Sequence, residues 1–228
     1  MSSIAANLQA VRQRIESATR AAGRPAQSVR LVAVSKTFPP AAVREAAQEG
    51  LRDFGENYVQ EGVEKIRELS SLGLTWHFIG PIQSNKTRAI AEHFDWVHSV
   101  DREKIAARLA QARGPGQSEL QVCIQVNVSG EATKSGIAPA ESAQLAKQVA
   151  ALPRLKLRGL MAVPEPTSDE ALRRARFAQL RELRDRLNRY GFTMDTLSMG
   201  MSADLEAAIA EGATLVRVGT AIFGERRD

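Results

Sequence analysis

Eight apolar, β-branched segments, each followed by a stretch with helical periodicity or a helix start, predict an α/β chain: a single (β/α)8 barrel of the TIM type with an extra N-terminal helix. Two further observations support that class. The 228 residues lie just under the roughly 250 typical of such barrels, and the strand–helix units use nearly all of them as one domain, 1–228. No Gly-x-Gly-x-x-Gly follows the first strand, so a doubly wound open sheet is the weaker rival.

The elements follow in order. Ile4, Leu8, Val11 and Ile15 recur on one helical face, and Gly23-Arg24-Pro25 ends that helix. Its Arg12, Arg14 and Arg20 with a single Glu16 faintly resemble an organelle transit peptide, but a helix covering the domain is the better reading, since a strand follows directly. Strand one covers 29–35, and Pro39-Pro40 opens a helix through 49 with Gly50 as its C-cap. Phe54-Gly55-Glu56 closes a short second strand before a helix over 59–69. Strand three (76–80) precedes a helix over 85–93, and strand four (96–100) one over 102–112. Strand five (120–128) is the clearest and leads to a helix over 139–151. Strand six (155–163) is followed by an arginine-rich helix over 168–190. Strand seven (196–200) leads to a helix over 203–211 stopped at Gly212, and strand eight (215–219) to a short helix over 220–226.

Composition narrows the function classes. Apolar residues at 43% and charged residues at 25% are the mix of a soluble globular protein. No run approaches a membrane span. The single Cys123, set between Val122 and Ile124, excludes an intramolecular disulfide or a multi-cysteine zinc site and reads as a small buried hydrophobe. A reducing cytoplasm is the expected compartment. The net charge of +5 raises the question of a polyanion partner. Seven arginines between Arg173 and Arg189 are interleaved with acids at helical spacing, which marks a solvated face. With 11 aromatics in the chain and few of them there, nucleic-acid binding is not expected.

In barrels the chemistry lies where strands end, which turns strand ends into candidates. Val32, Val34 and Lys36 alternate onto one face, so a strand directing its valines inward directs the lysine inward too. A lysine there is either a Schiff-base nucleophile with a lowered pKa or a paired, snorkelling cation. From Lys36 alone the two readings balance. Leu215, Arg217 and Gly219 share a face of strand eight, and an arginine aimed into a barrel needs a carboxylate or a ligand atom as acceptor. Gly219 and Thr220 open the last helix, where this fold recurrently cradles phosphate, and Ser198 and Ser202 flank Gly200 nearby. A plain turn explains a Gly-Thr pair by itself; a lysine on strand one together with these donors is more specific. A phosphorylated aldehyde fits the parts, and pyridoxal 5′-phosphate (PLP) is the commonest such cofactor. Arg217 opposite a pyridine nitrogen would make it a poor electron sink. A lone His77 in a strand is more often a satisfied core group. Lys86 and Lys134 read as solvated loop charges.

The motifs Ala33-Val34-Ser35-Lys36, Phe54-Gly55-Glu56-Asn57-Tyr58 and Trp76-His77-Phe78-Ile79-Gly80-Pro81, with Thr133-Lys134-Ser135-Gly136, Arg158-Gly159-Leu160-Met161, Gly200-Met201-Ser202 and Arg217-Val218-Gly219-Thr220, resemble the pyridoxal phosphate homeostasis protein family. The resemblance covers roughly residues 5–226 and extends to the barrel domain of fold-type III enzymes such as alanine racemase. It implies that Lys36 holds PLP as an internal aldimine and that Arg217 faces the pyridine nitrogen. It also implies that Ser198, Ser202, Gly219 and Thr220 bind the phosphate, and that Asn57, His77 and Met161 line the ring pocket. No metal and no catalytic residue is implied. The expected role is cofactor holding and delivery without established turnover, by a monomer in passing contact with PLP-dependent apoenzymes. The alternative is a weak PLP-dependent racemase or decarboxylase. Against it, the chain stops at Asp228, where alanine racemase continues into a domain supplying a tyrosine acid/base. The tyrosines here, Tyr58 and Tyr190, lie in or beside helices.

Overall fold

Parallel strands need a crossover after each one, and this chain supplies a helix every time. The computed structural model describes residues 3–131 and 135–225; Thr133, Lys134 and Arg226 of the motifs and helix above lie outside the described residues. Helix α1 (Ile4–Ala21) comes first, followed by β1 (Arg30–Val34), α2 (Pro40–Gln48), β2 (Asp53–Glu56) and α3 (Val59–Glu68). Next come β3 (Thr75–Phe78), α4 (Thr87–His93), β4 (Trp96–Val100), α5 (Glu103–Ala112), β5 (Leu120–Gln125) and α6 (Ser142–Ala150). The chain closes with β6 (Leu155–Met161), α7 (Glu170–Arg189), β7 (Thr196–Ser198), α8 (Leu205–Ala210), β8 (Leu215–Val218) and α9 (Thr220–Phe223). All strands are parallel, in the order β1 to β8, and the barrel closes where Val32 of β1 pairs with Arg217 of β8.

Most strands are shorter than their apolar patterns predict, because the ladder stops where the mouth loops begin. Beyond β5 the pattern continues to 128, yet past the bond from Val126 N–H to the Met161 carbonyl the chain makes an isolated bridge to Ile137 instead of extending the strand. After β7, Gly200 turns away at φ 93°. The final helix ends at Phe223, as Gly224 adopts φ 87°.

Period-two alternation sorts the strand residues into two cores. Outward residues such as Ala33, Phe54, Phe78, Val97, Leu160, Leu197 and Val216 pack under the helices. Inward, Val32, Trp96, Cys123, Met161 and Leu215 form a small separate cluster. Burial pushes the Cys123 thiol up to about 12, so it is an inert filler. Helix α1 buries Leu8, Val11 and Ile15 and lies against α2, α8 and α9, as a covering helix should. The arginine-rich α7 buries Phe177, Leu180, Leu183 and Leu187, while Arg174 and Arg181 pair with Glu211 and Arg176 with Glu165. Its opposite face is the charged face that the spacing indicated.

Gly159, paired with Cys123 beside an irregularity in the β5–β6 register, has no room for a side chain. A Cβ there would overlap the Thr196 carbonyl, which is backbone and cannot rotate aside. Gly159→Ala is therefore expected to lower the unfolding free energy by about 3 kcal/mol or more, read as a shifted urea midpoint with unchanged slope.

Candidate functional site at the carboxyl ends of the strands

Lys36 leaves β1 in a turn that is fastened on both sides. Its neighbour Ser35 is fully buried and donates through Oγ to Glu56 Oε1 at 2.6 Å. Thr37 takes the left-handed region at φ 68°, and its N–H donates to Glu61 Oε1 at 2.6 Å. Lys65 of α3, 2% exposed, gathers these groups together: its ammonium donates to the Ser35 carbonyl at 2.7 Å, Glu56 Oε1 at 2.8 Å and Glu61 Oε1 at 2.6 Å. Three donors meet three acceptors, the condition for a buried lysine to be tolerated. Burial pushes the Glu56 carboxyl up, against the opposing pull of Lys65. This buried pair lies on the outer face of the sheet, directly behind the Lys36 turn.

The inner face carries a second polar system. Arg217 is 4% exposed, and its Nη1 donates to Ser198 Oγ at 2.6 Å while Nη2 donates to the Ala162 carbonyl at 2.9 Å. Among the described residues no carboxylate is bonded to it. Burial lowers the guanidinium to about 10, so it stays a cation at neutral pH. Ser198 Oγ also meets His98 Nδ1 at 2.7 Å, His98 Nε2 meets His77 Nδ1 at 2.9 Å, and His77 Nε2 meets Asp53 Oδ1 at 2.9 Å. Arg30, at the opposite end of the barrel, pairs with Asp53. Burial lowers both histidines: His98 well below the usual range, helped by nearby positive charge, and His77 less, because Asp53 opposes the shift. Burial works to raise the Asp53 carboxyl, but the bonds and charges of His77 and Arg30 outweigh it and hold it low.

The expected site residues separate accordingly. Lys36, Asn57, Ser202, Gly219 and Thr220 all follow the carboxyl ends of their strands, at the mouth. Asn57 Oδ1 is buried with no hydrogen-bond partner among the described residues. Gly219 lies close to β1, where a Cβ would approach the Val34 carbonyl to 3.2 Å. The backbone N–H of Arg217 donates to Gly200 O at 2.9 Å, and Arg14 of α1 donates to Ser202 O at 2.9 Å, which ties the loop after β7 to its surroundings. Met161 is buried in the inner apolar cluster. Two placements differ from the expectation. Ser198 is fully buried, with its Oγ bonded to Arg217 and His98 inside the barrel, apart from Ser202. His77 is fully buried with both ring nitrogens bonded to protein, so neither is left for a ligand. Sequence reasoning missed Lys65, Asp53 and His98. The signal for His98 was a polar residue two positions after Trp96 on a strand otherwise buried, in register with the face of His77.

A closed barrel with a lysine at the exit of β1 and a buried arginine inside β8 defines the class of proteins built like the first domain of alanine racemase. The sequence profile of the family described as alanine racemase, N-terminal domain, matches residues 6–227. The chain belongs to that family and, within it, to the pyridoxal phosphate homeostasis proteins. A protein of that name from Pseudomonas aeruginosa is 63% identical over 99% of this chain and 97% of its own length. The namesake in Escherichia coli K12 is 53% identical over 99% and 98%. PipY of Synechococcus elongatus, solved with PLP bound, superposes with TM-score 0.84 at 41% identity, covering 97% of this chain and 100% of that one. Alanine racemase from Corynebacterium glutamicum shares the fold at TM-score 0.69 and 16% identity, this chain spanning 62% of its length.

Two measurements check the buried groups. Lys65→Met strands the Glu56 carboxylate and is expected to cost roughly 3–5 kcal/mol in denaturant unfolding, most of it recovered when Glu56→Leu is added. The pH dependence follows from the two rings. Their folded values lie below the 6.5 of a free histidine, so the unfolded state binds more protons once the pH falls below that value. Stability is expected to drop as pH falls from about 6.5 to 5, by up to about 1.4 kcal/mol per unit for each ring. A flat thermal midpoint over that window contradicts neutral buried rings.

Proposed function

We propose that this chain binds pyridoxal 5′-phosphate at the barrel mouth and works in its homeostasis and delivery rather than as a catalyst. Relatives covering the whole chain carry that name, and PipY was solved with the cofactor bound. The observation that carries the reading is the pairing of β1 with β8. It sets the lysine that leaves β1 beside a strand holding a buried cation that no carboxylate bonds among the described residues.

The residues fit the group. PLP supplies an aldehyde that condenses with an amine, a ring nitrogen that accepts a hydrogen bond, and a dianionic phosphate. Lys36 is the attachment point, held by the fastened turn. Arg217, with five N–H donors of which protein acceptors take two, has capacity left for the ring nitrogen. The orphan Asn57 carbonyl offers an acceptor at the mouth, and Met161 closes the floor. Ser202 and the backbone of Gly219 and Thr220 are the phosphate donors. With α9 only four residues long, individual N–H groups matter there more than a helix dipole. Delivery involves brief contact of a monomer with PLP-dependent apoenzymes in the cytoplasm, and the exposed Tyr58, Val163 and Met201 that follow strand ends suit such a contact.

The test is reduction of the PLP-loaded protein with borohydride and mapping of the labelled peptide. Label is expected at Lys36, with Lys36→Ala losing the visible band and at least about tenfold in affinity. A band that survives Lys36→Ala unchanged refutes the assignment. Rapid exchange of amino-acid α-protons that depends on Lys36 refutes the holding role.

A further inference from the structure

Arg217 can only donate hydrogen bonds and the Asp53 carboxylate can only accept them. Four hydrogen bonds join them, through Ser198, His98 and His77. Burial disfavours protonation of both rings, and with the rings neutral every link has one direction, set from the Asp53 end. His77 Nε2–H donates to Asp53, so His77 Nδ1 accepts from His98 Nε2–H. His98 Nδ1 then accepts the Ser198 hydroxyl proton, and Ser198 accepts from Arg217. Both neutral rings are the Nε2–H tautomer. A proton added to either ring would make Ser198 accept from both neighbours, with its own proton outside the file. His93 lies outside this file: its Nδ1 is 2.9 Å from the Ala89 carbonyl and must donate, which makes it the Nδ1–H tautomer when neutral.

We propose that His98 and Ser198 are positioning residues for Arg217, forming with His77 and Asp53 a one-way file along the barrel interior that aims the guanidinium at the bound ring without neutralising it. The geometry supports this in three ways. Each member comes from a different strand, β2, β3, β4, β7 and β8, so the file is fixed by the barrel rather than by any loop. His77, His98 and Ser198 are all fully buried, so water does not compete for the links. The stacking of His77 on Trp96, ring centroids 5.5 Å apart, restrains the file from the side. A carboxylate set directly on Arg217 would occupy the donors that the ring nitrogen needs. With the Asp53 carboxylate four hydrogen bonds away, and paired there with Arg30, the file holds the cation in place and leaves its remaining donors available. The inference rests on the PLP reading and adds residues that the reading does not need.

The first test uses wild-type protein without cofactor: ¹⁵N-edited NMR of the three imidazoles at neutral pH. Two neutral Nε2–H rings are expected, and Ser198→Ala should shift His98 most, His77 less and His93 not at all. Either buried ring found as Nδ1–H or as imidazolium overturns the file. The second test titrates PLP into wild type, His98→Leu and His98→Gln, reading affinity and the visible spectrum of the Lys36-bound cofactor. His98→Leu is expected to weaken binding about tenfold and to alter the spectrum. His98→Gln, whose amide also accepts on one atom and donates from the other, should restore much of both. If His98→Leu fails to fold, Ser198→Ala serves in its place. Wild type that loads at Lys36, with His98→Leu matching it in affinity and spectrum, overturns the inference alone. Wild type that shows the expected tautomers but does not load at Lys36 overturns the PLP reading, and the positioning role with it.

Discussion

A positive charge sealed inside a barrel has to meet acceptors, and the way this chain answers Arg217 governs the rest of its interior. The cation sits near the carboxyl end of β8, while Asp53, the carboxylate at the far end of its hydrogen-bond series, begins β2 at the other end and pairs there with Arg30. Between them lie a hydroxyl and two imidazoles, each bonded on both sides. Such a series tolerates no register error. A one-residue slip in any contributing strand would send its polar group outward under the helices and leave its neighbours buried and unpaired. The apolar residues Val32, Trp96, Cys123, Met161 and Leu215 fill the space that the file leaves. The inner core is therefore organised around hydrogen-bond direction, and the outer core around volume.

That division explains what was legible in the sequence. The eight strands could be read because outward alternation writes a repeating apolar pattern, and Lys36 and Arg217 because a charge at an inward position breaks it. Strand ends could not be read to the residue, since apolar character continues to 128 after β5 while the ladder does not. Ser198 lies apart from Ser202 for a related reason. It neighbours Gly200 and Ser202 in sequence, so the three looked like one phosphate loop. Alternation instead sends Leu197 outward and Ser198 inward, which separates it from Ser202. Lys65 left no signal, because a lysine in an amphipathic helix ordinarily faces water. Only the tertiary placement of Glu56 and Glu61 shows that it is buried.

The two polar systems act from opposite faces on neighbouring strands, the outer one at the end of β1 and the inner one at β8. Outside the sheet, Lys65 draws Glu56, Glu61 and the Ser35 carbonyl together and so fixes the turn that carries Lys36. Thr37 in the left-handed region costs about 1–3 kcal/mol, and the short bond to Glu61 helps to offset it. Inside the sheet, the axial file fixes Arg217. Since β1 and β8 are hydrogen-bonded neighbours, the Lys36 turn and Arg217 keep a constant relation to each other. On the proposed reading, a fastened turn and a fixed cation lower the entropic cost of binding a small ligand.

The proposed placement of Arg217 opposite the ring nitrogen would also bear on why a protein of this shape holds a reactive cofactor without consuming it. Even lowered to about 10, Arg217 is a donor and a cation near neutrality, so a nitrogen facing it remains an acceptor and is not protonated. An unprotonated ring withdraws electron density weakly, which disfavours chemistry that relies on it as an electron sink. A carboxylate in the same place would promote that chemistry. On that placement, with no carboxylate bonded to Arg217 among the described residues, the barrel would combine a hold on the ring with a poor setting for turnover. Holding needs the first property, and catalysis would need the second reversed.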